Sequence, residues 1–181
     1  MRAFRREGES VTLRSLEERD LPLTMQWRND PRSLRWFVSD APLEWTAHHA
    51  WFTRYQASES RDCMFFAETS DGQPVGQSSI YNFSCDGRRA EVGRFLSDPE
   101  LRGRGLFRES LLLTLDAAFG PLGVEEVFLA VLSDNERAVR LYESVGFEVT
   151  HRGSGERAVV AMVLPRARFG QASARADCGA S

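Results

Sequence analysis

The chain has 181 residues, carries a formal net charge of −3, and is 42% hydrophobic. This is the size of one ordinary domain with enough apolar residues for a core, which excludes a largely disordered chain. The slightly acidic balance argues against a nucleic-acid-binding protein. No apolar run is long enough to cross a bilayer and no apolar signal segment begins the chain, so we expect no membrane partner and a cytoplasmic location.

The first half of the sequence predicts two helices and an antiparallel meander. Apolar alternation and helical spacing give a strand at residues 11–16, helices at 20–27 and 43–57, and strands at 63–69, 75–82 and 89–96. Asp71-Gly72 and Asp86-Gly87 lie between the last three strands and are typical hairpin turns.

The second half alternates helices and strands. The same patterns give a helix at residues 106–119, a strand at 124–132, a helix at 135–145, and strands at 147–152 and 157–164. The order β-α-α-β-β-β-α-β-α-β-β predicts an α+β domain at 11–164, with helices on both faces of one mixed sheet. Residues 1–10 are expected to be a flexible segment, and 165–181 a disordered tail with almost no large apolar residue.

A glycine-rich segment, Arg102-Gly103-Arg104-Gly105, lies between a predicted strand and a predicted helix. Free N–H groups and a partial positive charge make the start of a helix an anion site. Glycines let a phosphate approach the backbone, and arginines add charge. The alternative to an anion site is an ordinary glycine-containing loop whose arginines are exposed to solvent. A Walker A loop is excluded because the Gly-Lys-Ser/Thr ending is missing, and no magnesium-binding acids support phosphoryl transfer.

A second segment, residues 135–147, follows the apolar strand at 124–132. Asn135 lies at a helix start, where its amide can cap the helix or bind a ligand. Tyr142 lies two turns further on the same face, where it either belongs to the core or presents a phenol. The three cysteines and three histidines form no CxxC pair or cluster, so no metal site or disulfide framework is predicted.

Together the two segments resemble signatures of the GNAT N-acetyltransferases. Arg102–Gly105 is similar to most of their Gln/Arg-x-x-Gly-x-Gly/Ala signature, and residues 135–147 are similar to their Asn-x-x-Ala-x-x-Leu-Tyr-x-x-x-Gly-Phe signature. The resemblance covers about residues 11–164, including the order of elements. It implies a single mixed, mostly antiparallel, twisted sheet, acetyl-CoA as the acetyl donor, and an amine as the acceptor.

The resemblance also implies roles for individual residues. The pyrophosphate would bind backbone amides of about Gly103 to Arg108, and the pantetheine arm would lie along the strand end. Asn135 would contact that arm, and Tyr142 would face the sulfur and protonate it. The implied cofactor-binding residues are Phe95, Leu96, Ser97, Arg102, Gly103, Arg104, Gly105, Leu106, Phe107, Arg108 and Asn135.

One residue departs from the pattern. Phe107 stands where the signature has Gly or Ala. Its ring either crowds the phosphates or packs with Leu111 and Leu115 at i, i+4 and i+8, and we favour packing.

An alkylamine is almost fully protonated at neutral pH. A base that removes this proton would therefore help the reaction. Glu91 is the candidate, because it shares a strand face with Gly93 and Phe95 and precedes the glycine segment. Glu68 is a second choice. Some family members carry a glutamate on the strand before the Asn motif, where this chain has Ala130.

The acceptor is left open. The stretch Trp27-Arg28-Asn29-Asp30-Pro31 resembles GNAT branches that acetylate ribosomal protein N-termini or amino groups of nucleotide-linked sugars. Asp30, Asp40 and Glu44 suit a cationic acceptor, whereas Arg28, Arg32 and Arg35 suit a nucleotide diphosphate. A monomer and a homodimer are both compatible with the sequence. A non-catalytic acyl-CoA-binding or regulatory module of the same fold is the alternative function.

Overall fold

The computed structural model describes residues 4–37, 41–101 and 103–169. Its strands are β1 (Arg5–Glu7), β2 (Val11–Ser15), β3 (Cys63–Thr69), β4 (Pro74–Tyr81), β5 (Arg89–Ser97), β6 (Glu126–Leu132), β7 (Glu148–Arg152) and β8 (Val159–Pro165). Its helices are α1 (Leu21–Asn29), α2 (Pro31–Leu34), α3 (Trp45–Ala57), α4 (Leu106–Phe119) and α5 (Glu136–Ser144).

The eight strands form one mixed sheet in the order β1-β2-β3-β4-β5-β6-β8-β7. Strand β5 runs parallel to β6 over Arg89–Glu91. The pairs β1–β2, β2–β3, β3–β4, β6–β8 and β7–β8 are antiparallel. The predicted α+β class with a mostly antiparallel sheet is therefore confirmed.

Strand β1 and helix α2 are among the short elements that the sequence prediction missed. Strand β1 lies in the segment expected to be flexible and pairs with β2 from Arg5↔Arg14 to Glu7↔Thr12. Its three residues are all exposed, so no apolar alternation marked it. Helix α2 begins at Pro31, directly after α1. Asp30 ends α1 and caps the new helix, because its side chain accepts a hydrogen bond from Arg32 N–H.

The chain divides into two compact units, of which the first contains residues up to Tyr81 together with Gly93–Thr114. Its apolar cluster joins α1 and α3 to β3 through Trp27, Phe52, Met64 and Phe66, which are at most 3% exposed. The indole of Trp27 stacks on the ring of Phe66 at a centroid distance of 5.8 Å. Each such side chain contributes about 1.5–3 kcal/mol when removed from water.

The second unit contains Asn82–Val92 and the chain from Leu115 onward. One face of its β6–β8 pair is fully buried through Val127, Leu129, Val160, Met162 and Leu164. Helix α5 buries the stripe Val139, Tyr142 and Val145. Gly146 ends this helix with φ of +104°, as its predicted capping role requires.

The start of the predicted C-terminal tail packs onto this unit. Arg166 donates to the carbonyls of Val124 and Phe119, and the ring of Phe169 lies 5.2 Å from that of Phe119. The rest of that segment, residues 170–181, lies outside the described residues.

Candidate active site

Gly103 and Gly105 form an open, exposed loop immediately before α4. Their φ angles are +86° and +81°, a left-handed conformation that favours glycine, and a Cβ at either position would meet no atom within 4 Å. The N–H of Glu109 donates to the Gly105 carbonyl at 3.1 Å, so the helical ladder begins there. The N–H groups of the first turn, from Leu106 to Arg108, consequently have no acceptor within the helix. Arg102 lies outside the described residues.

The ring of Phe107 packs against β5. Its centroid lies 5.9 Å from that of Phe95, with the ring planes at 82°. No atom lies within 4 Å of the place that a Cβ would take at Gly103 or Gly105, so the ring does not fill the Cβ side of either glycine. Phe107 is half-buried, whereas Leu111 and Leu115 are fully buried.

At the end of β5, only some of the backbone N–H and C=O groups are directed away from β4 and could pair with a ligand. The carbonyl oxygen of Leu96 lies 2.4 Å from the position of a Cβ on Gly76, and Asp98 N–H donates to Val75 of β4. Neighbouring residues of a strand direct their backbone groups to opposite edges, so the groups of Phe95 and Ser97 are the ones directed away from β4. The side chain of Leu96 belongs to the apolar cluster of the first unit.

Asn135 caps α5. Its Oδ1 accepts the N–H of Ala138 at 3.3 Å, and its carbonyl accepts the N–H groups of Ala138 and Val139. Among residues 4–37, 41–101 and 103–169, the side-chain nitrogen of Asn135 has no hydrogen-bond acceptor. Capping and ligand binding are therefore compatible, because they use different atoms of the same amide.

Tyr142 is a buried residue of α5. It is 6% exposed, and its ring lies 5.8 Å from that of Phe147. Burial strongly raises the pKa of its phenol, so the group stays protonated at neutral pH. The backbone anchors it as well, since its carbonyl accepts the N–H of Phe147 at 3.0 Å and closes the helix end.

Glu91 is a half-buried carboxylate near the start of β5, held by Asn82 across the turn that joins β4 to β5. The Nδ2 of Asn82 donates to Oε2 of Glu91 at 2.7 Å. Asn82 has a φ of +48°, which asparagine tolerates better than most residues. Sequence reasoning missed Asn82, although its place just before the Asp86-Gly87 turn was a usable signal.

Glu68 belongs to a different cluster. Its carboxylate lies 3.0 Å from Nε of Arg14, and Arg14 also makes two bonds of 2.7 and 2.9 Å to Asp20. Within the first unit, Glu68 therefore neutralises a buried arginine, which leaves Glu91 as the better-placed candidate base. Ala130 is exposed on β6 opposite Ala161 of β8.

The segment proposed to recognise the acceptor is largely tied down. Asp30 pairs with Arg32, and Arg32 reaches Glu100 at 3.2 Å. The guanidinium of Arg28 lies 3.9 Å from the centre of the Phe37 ring, and that of Arg35 lies 4.4 Å from the centre of the Trp36 ring. Burial lowers the pKa of Arg28. Asp40 lies outside the described residues, and Glu44 is exposed at the start of α3.

Comparison with known proteins decides the family. The family model described as the acetyltransferase (GNAT) domain matches residues 10–148, well over half of the chain. The chain belongs to the GNAT acetyltransferase family. The resemblance inferred from the two sequence signatures is thereby confirmed, and the class of enzyme is an acetyltransferase.

Relatives of this GNAT acetyltransferase include polyamine enzymes. The spermidine N(1)-acetyltransferase of Escherichia coli is 30% identical over 142 residues, which are 78% of this chain and 75% of that protein. An uncharacterized protein of Methanocaldococcus jannaschii is 27% identical over 150 residues, 81% of this chain but only 30% of that longer protein. The chain therefore spans less than a third of that relative.

A solved structure shares the fold of this acetyltransferase. It is the spermidine N-acetyltransferase of Vibrio cholerae in complex with CoA and spermine, which superposes with a TM-score of 0.78 at 23% identity. The match covers 88% of this chain and 97% of that one. Among the described residues, no helix is long and apolar enough to cross a membrane, and no three His, Cys, Asp or Glu side chains cluster as metal ligands.

Proposed function

We propose that this acetyltransferase transfers the acetyl group of acetyl-CoA to a primary amine by direct attack. The loop before α4 carries the proposal. Gly103 and Gly105 are exposed, hold positive φ angles, and have open space on their Cβ side at the start of a 14-residue helix. A diphosphate requires backbone N–H donors at a helix start with no side chain in the way.

The residues of the loop fit that ligand. The N–H groups from Gly103 to Arg108 would donate to the diphosphate oxygens, and the exposed side chains of Arg104 and Arg108 would add positive charge. Phe107 packs on Phe95 and leaves this space open. The backbone of Phe95 and Ser97 would pair with the amides of the pantetheine arm, and the Asn135 side-chain nitrogen would donate to the same arm.

Tyr142 and Glu91 would move the protons. Bound acetyl-CoA supplies a thioester carbonyl, on which the amine forms the new C–N bond as the C–S bond breaks. Glu91 would take the proton that the ammonium must lose, directly or through a water molecule. Tyr142 would give its phenol proton to the leaving sulfur, because a phenol is protonated at neutral pH.

The amine itself is the least constrained part of the proposal. The named activity of the Escherichia coli relative makes spermidine one acceptor to test. Protein N-termini and amino sugars remain the other classes, and the arginines stacked on Trp36 and Phe37 would suit an acceptor that carries phosphate. Acetyl-CoA is a metabolite of the cytoplasm, where we place the reaction.

A thiol-release assay with these amines, together with a pair of glycine variants, tests the proposal. Gly105→Glu places a bulky anion beside the diphosphate and should weaken acetyl-CoA binding at least ~100-fold, by calorimetry. Gly123→Glu is the matched control, because Gly123 also has a positive φ, +69°, and no atom within 4 Å of its Cβ position. It should bind acetyl-CoA normally.

Two results would contradict the proposal. Equal affinities of the two glycine variants would remove the diphosphate from this loop. Tight acetyl-CoA binding without thiol release for any amine would instead indicate the non-catalytic acyl-CoA-binding module.

A further inference from the structure

The second unit has an exposed apolar sheet face, and the guanidinium of Arg89 lies 5.4 Å from the centre of one ring on it, that of Phe128. In the register between β6 and β8, Phe128 lies opposite Val163, Ala130 opposite Ala161, and Leu132 opposite Val159. Directly opposed residues of antiparallel strands share one face of the sheet. We name these six residues the open face. Their sequence neighbours on the same two strands form the opposite face, where every residue except the half-buried Val131 is fully buried.

The open face is exposed although it contains no polar side chain. Val159 is 40% exposed, Ala130 is exposed, and the other four residues are half-buried. The two alanine methyl groups lie side by side between the larger pairs Phe128–Val163 and Leu132–Val159. Because alanine is the smallest of these side chains, the surface is lower along that row than on either side.

One edge of the open face meets the candidate base. Glu91 of β5 is in register with Phe128 of β6, and its carboxylate is held by Asn82 at 2.7 Å. A carboxylate has about four lone-pair positions, so the bond from Asn82 leaves capacity for an ammonium. The chemistry of the edge is therefore cationic recognition, and the chemistry of the face is apolar.

The remaining carboxylates at the border already pair with arginines. Glu126 accepts from Nε of Arg89 at 2.7 Å, and Glu148 pairs with Arg168. His151 lies opposite Ala161 on the outer strand β7 and is no anion. A second ammonium on the open face would lose hydration, and that loss costs free energy. Within the described chain, the open face therefore has no carboxylate that would replace the lost water.

We propose that the acceptor is a primary monoamine whose uncharged, apolar carbon body lies on the open face, with its nitrogen at Glu91. This rests on the proposed function and selects a substrate class within it. An amine with a second ammonium along the same body is disfavoured, because that charge would sit over Ala130 and Ala161.

Homologous n-alkylamines test the apolar part. Their ammonium pKa values are nearly equal, so differences in kcat/KM report contact with the carbon body. From n-butylamine to n-hexylamine, kcat/KM should rise about three- to fourfold per methylene that leaves water. A flat series would overturn the proposal.

Comparison of n-hexylamine with 1,6-diaminohexane tests the charge, because the carbon chain is identical. The monoamine should have the higher kcat/KM by at least about tenfold, because the second ammonium would lose hydration without gaining a carboxylate. Preference for the diamine would overturn the proposal while leaving the proposed function intact, whereas no thiol release with any amine would refute the proposed function itself.

Two variants test whether the preference between the two amines depends on the open face. Ala161→Asp adds a carboxylate to the lower row and should decrease kcat/KM for n-hexylamine while increasing it for 1,6-diaminohexane. Ser154→Asp adds the same charge at an exposed position in the β7–β8 turn, off the open face, and should preserve the wild-type preference. Circular dichroism and thermal melting show whether each variant is folded.

Light scattering on the same proteins tests the rival occupant, a second copy of the chain. If the wild type is a dimer that Ala161→Asp splits into monomers, the open face is a subunit interface and the proposal is wrong. An unchanged mass with switched amine preference supports the proposal.

Discussion

Tyr142 shows how one residue acquires a chemical property from its surroundings. Its phenol is buried between the end of α5 and Phe147, and the loss of hydration raises its pKa. A phenol that keeps its proton at neutral pH can donate to a leaving thiolate. The residue type and its helical spacing were visible in the sequence, but the burial that sets the pKa depends on packing.

Tyr142→Phe removes that proton and keeps the aromatic ring. We expect kcat to fall about 100-fold or more, the usual scale of general acid catalysis, with acetyl-CoA affinity nearly unchanged. Tyr55→Phe is the control, since Tyr55 is a half-buried tyrosine whose hydroxyl accepts the N–H of Met64 at 3.0 Å. Steady-state kinetics and calorimetry measure both quantities, and a wild-type kcat in Tyr142→Phe would remove the acid role.

Phe107 and Glu91 mark the limits of prediction at this scale. Helical spacing predicted that Phe107 would pack beside Leu111 and Leu115, yet its ring contacts Phe95, twelve positions earlier in the chain. Helical periodicity describes one element and is silent about the neighbouring strand. The bond between Asn82 and Glu91 likewise depends on hairpin register, which the turn residues alone left open.

Elements with a clear apolar period were predictable, and those set by polar contacts were not. The long apolar stripe of α4 and the glycine cap of α5 gave their positions. Helix α2 has four residues and depends on the Asp30 cap, and β1 depends on pairing with β2. A short polar segment gains order from its partner strand or cap, so its own sequence carries little signal.

The ion pair between Arg14 and Asp20 ties β2 to the start of α1. The two side chains are only 9% and 6% exposed, and hydrogen bonding to Asp20 raises the pKa of Arg14. Asp20→Ala would leave the buried guanidinium with Glu68 and the Ser15 carbonyl, which should reduce the free energy of unfolding by up to about 3–5 kcal/mol. Urea unfolding measures the change.

Glu136→Ala is the matched control for that ion pair. It breaks the pair between Glu136 and Arg140 on α5, where both side chains are largely exposed. The expected loss is below about 1 kcal/mol. Similar losses in the two variants would show that burial does not distinguish the pairs.

For the whole molecule, element order was predictable while strand order was not. Apolar patterns predicted seven of the eight strands. They did not predict that β8 lies between β6 and β7, which places β6 beside a strand that is not the next one in the sequence. Such long-range pairing is decided by which faces can be buried together. The resemblance to the GNAT family predicted a type of sheet that periodicity alone does not give. The match to the family model confirms that resemblance.

The pH dependence of stability is also a property of the whole chain, because every group that titrates differently after unfolding contributes. His48 is 9% exposed, its Nε2 lies 3.3 Å from Oγ1 of Thr24, and its ring stacks on Trp51 at 5.5 Å. Burial lowers its pKa below the ordinary 6.5. As the pH falls below that value, the unfolded chain takes up a proton that the folded chain refuses, so stability is lost. Above about pH 7 the imidazole is neutral in both the folded and the unfolded chain, so this loss of stability is absent there.

His48→Gln should therefore flatten the acid side of the stability curve. In urea unfolding at about pH 7.5 and pH 5, the wild type should lose more free energy of unfolding than this variant, because glutamine cannot bind the proton. His151→Gln, at an exposed position on β7, should keep the wild-type dependence. All three proteins contain the same carboxylates, so the difference isolates His48. Parallel curves for the wild type and His48→Gln would show that the buried imidazole accepts its proton in the folded state as readily as in water.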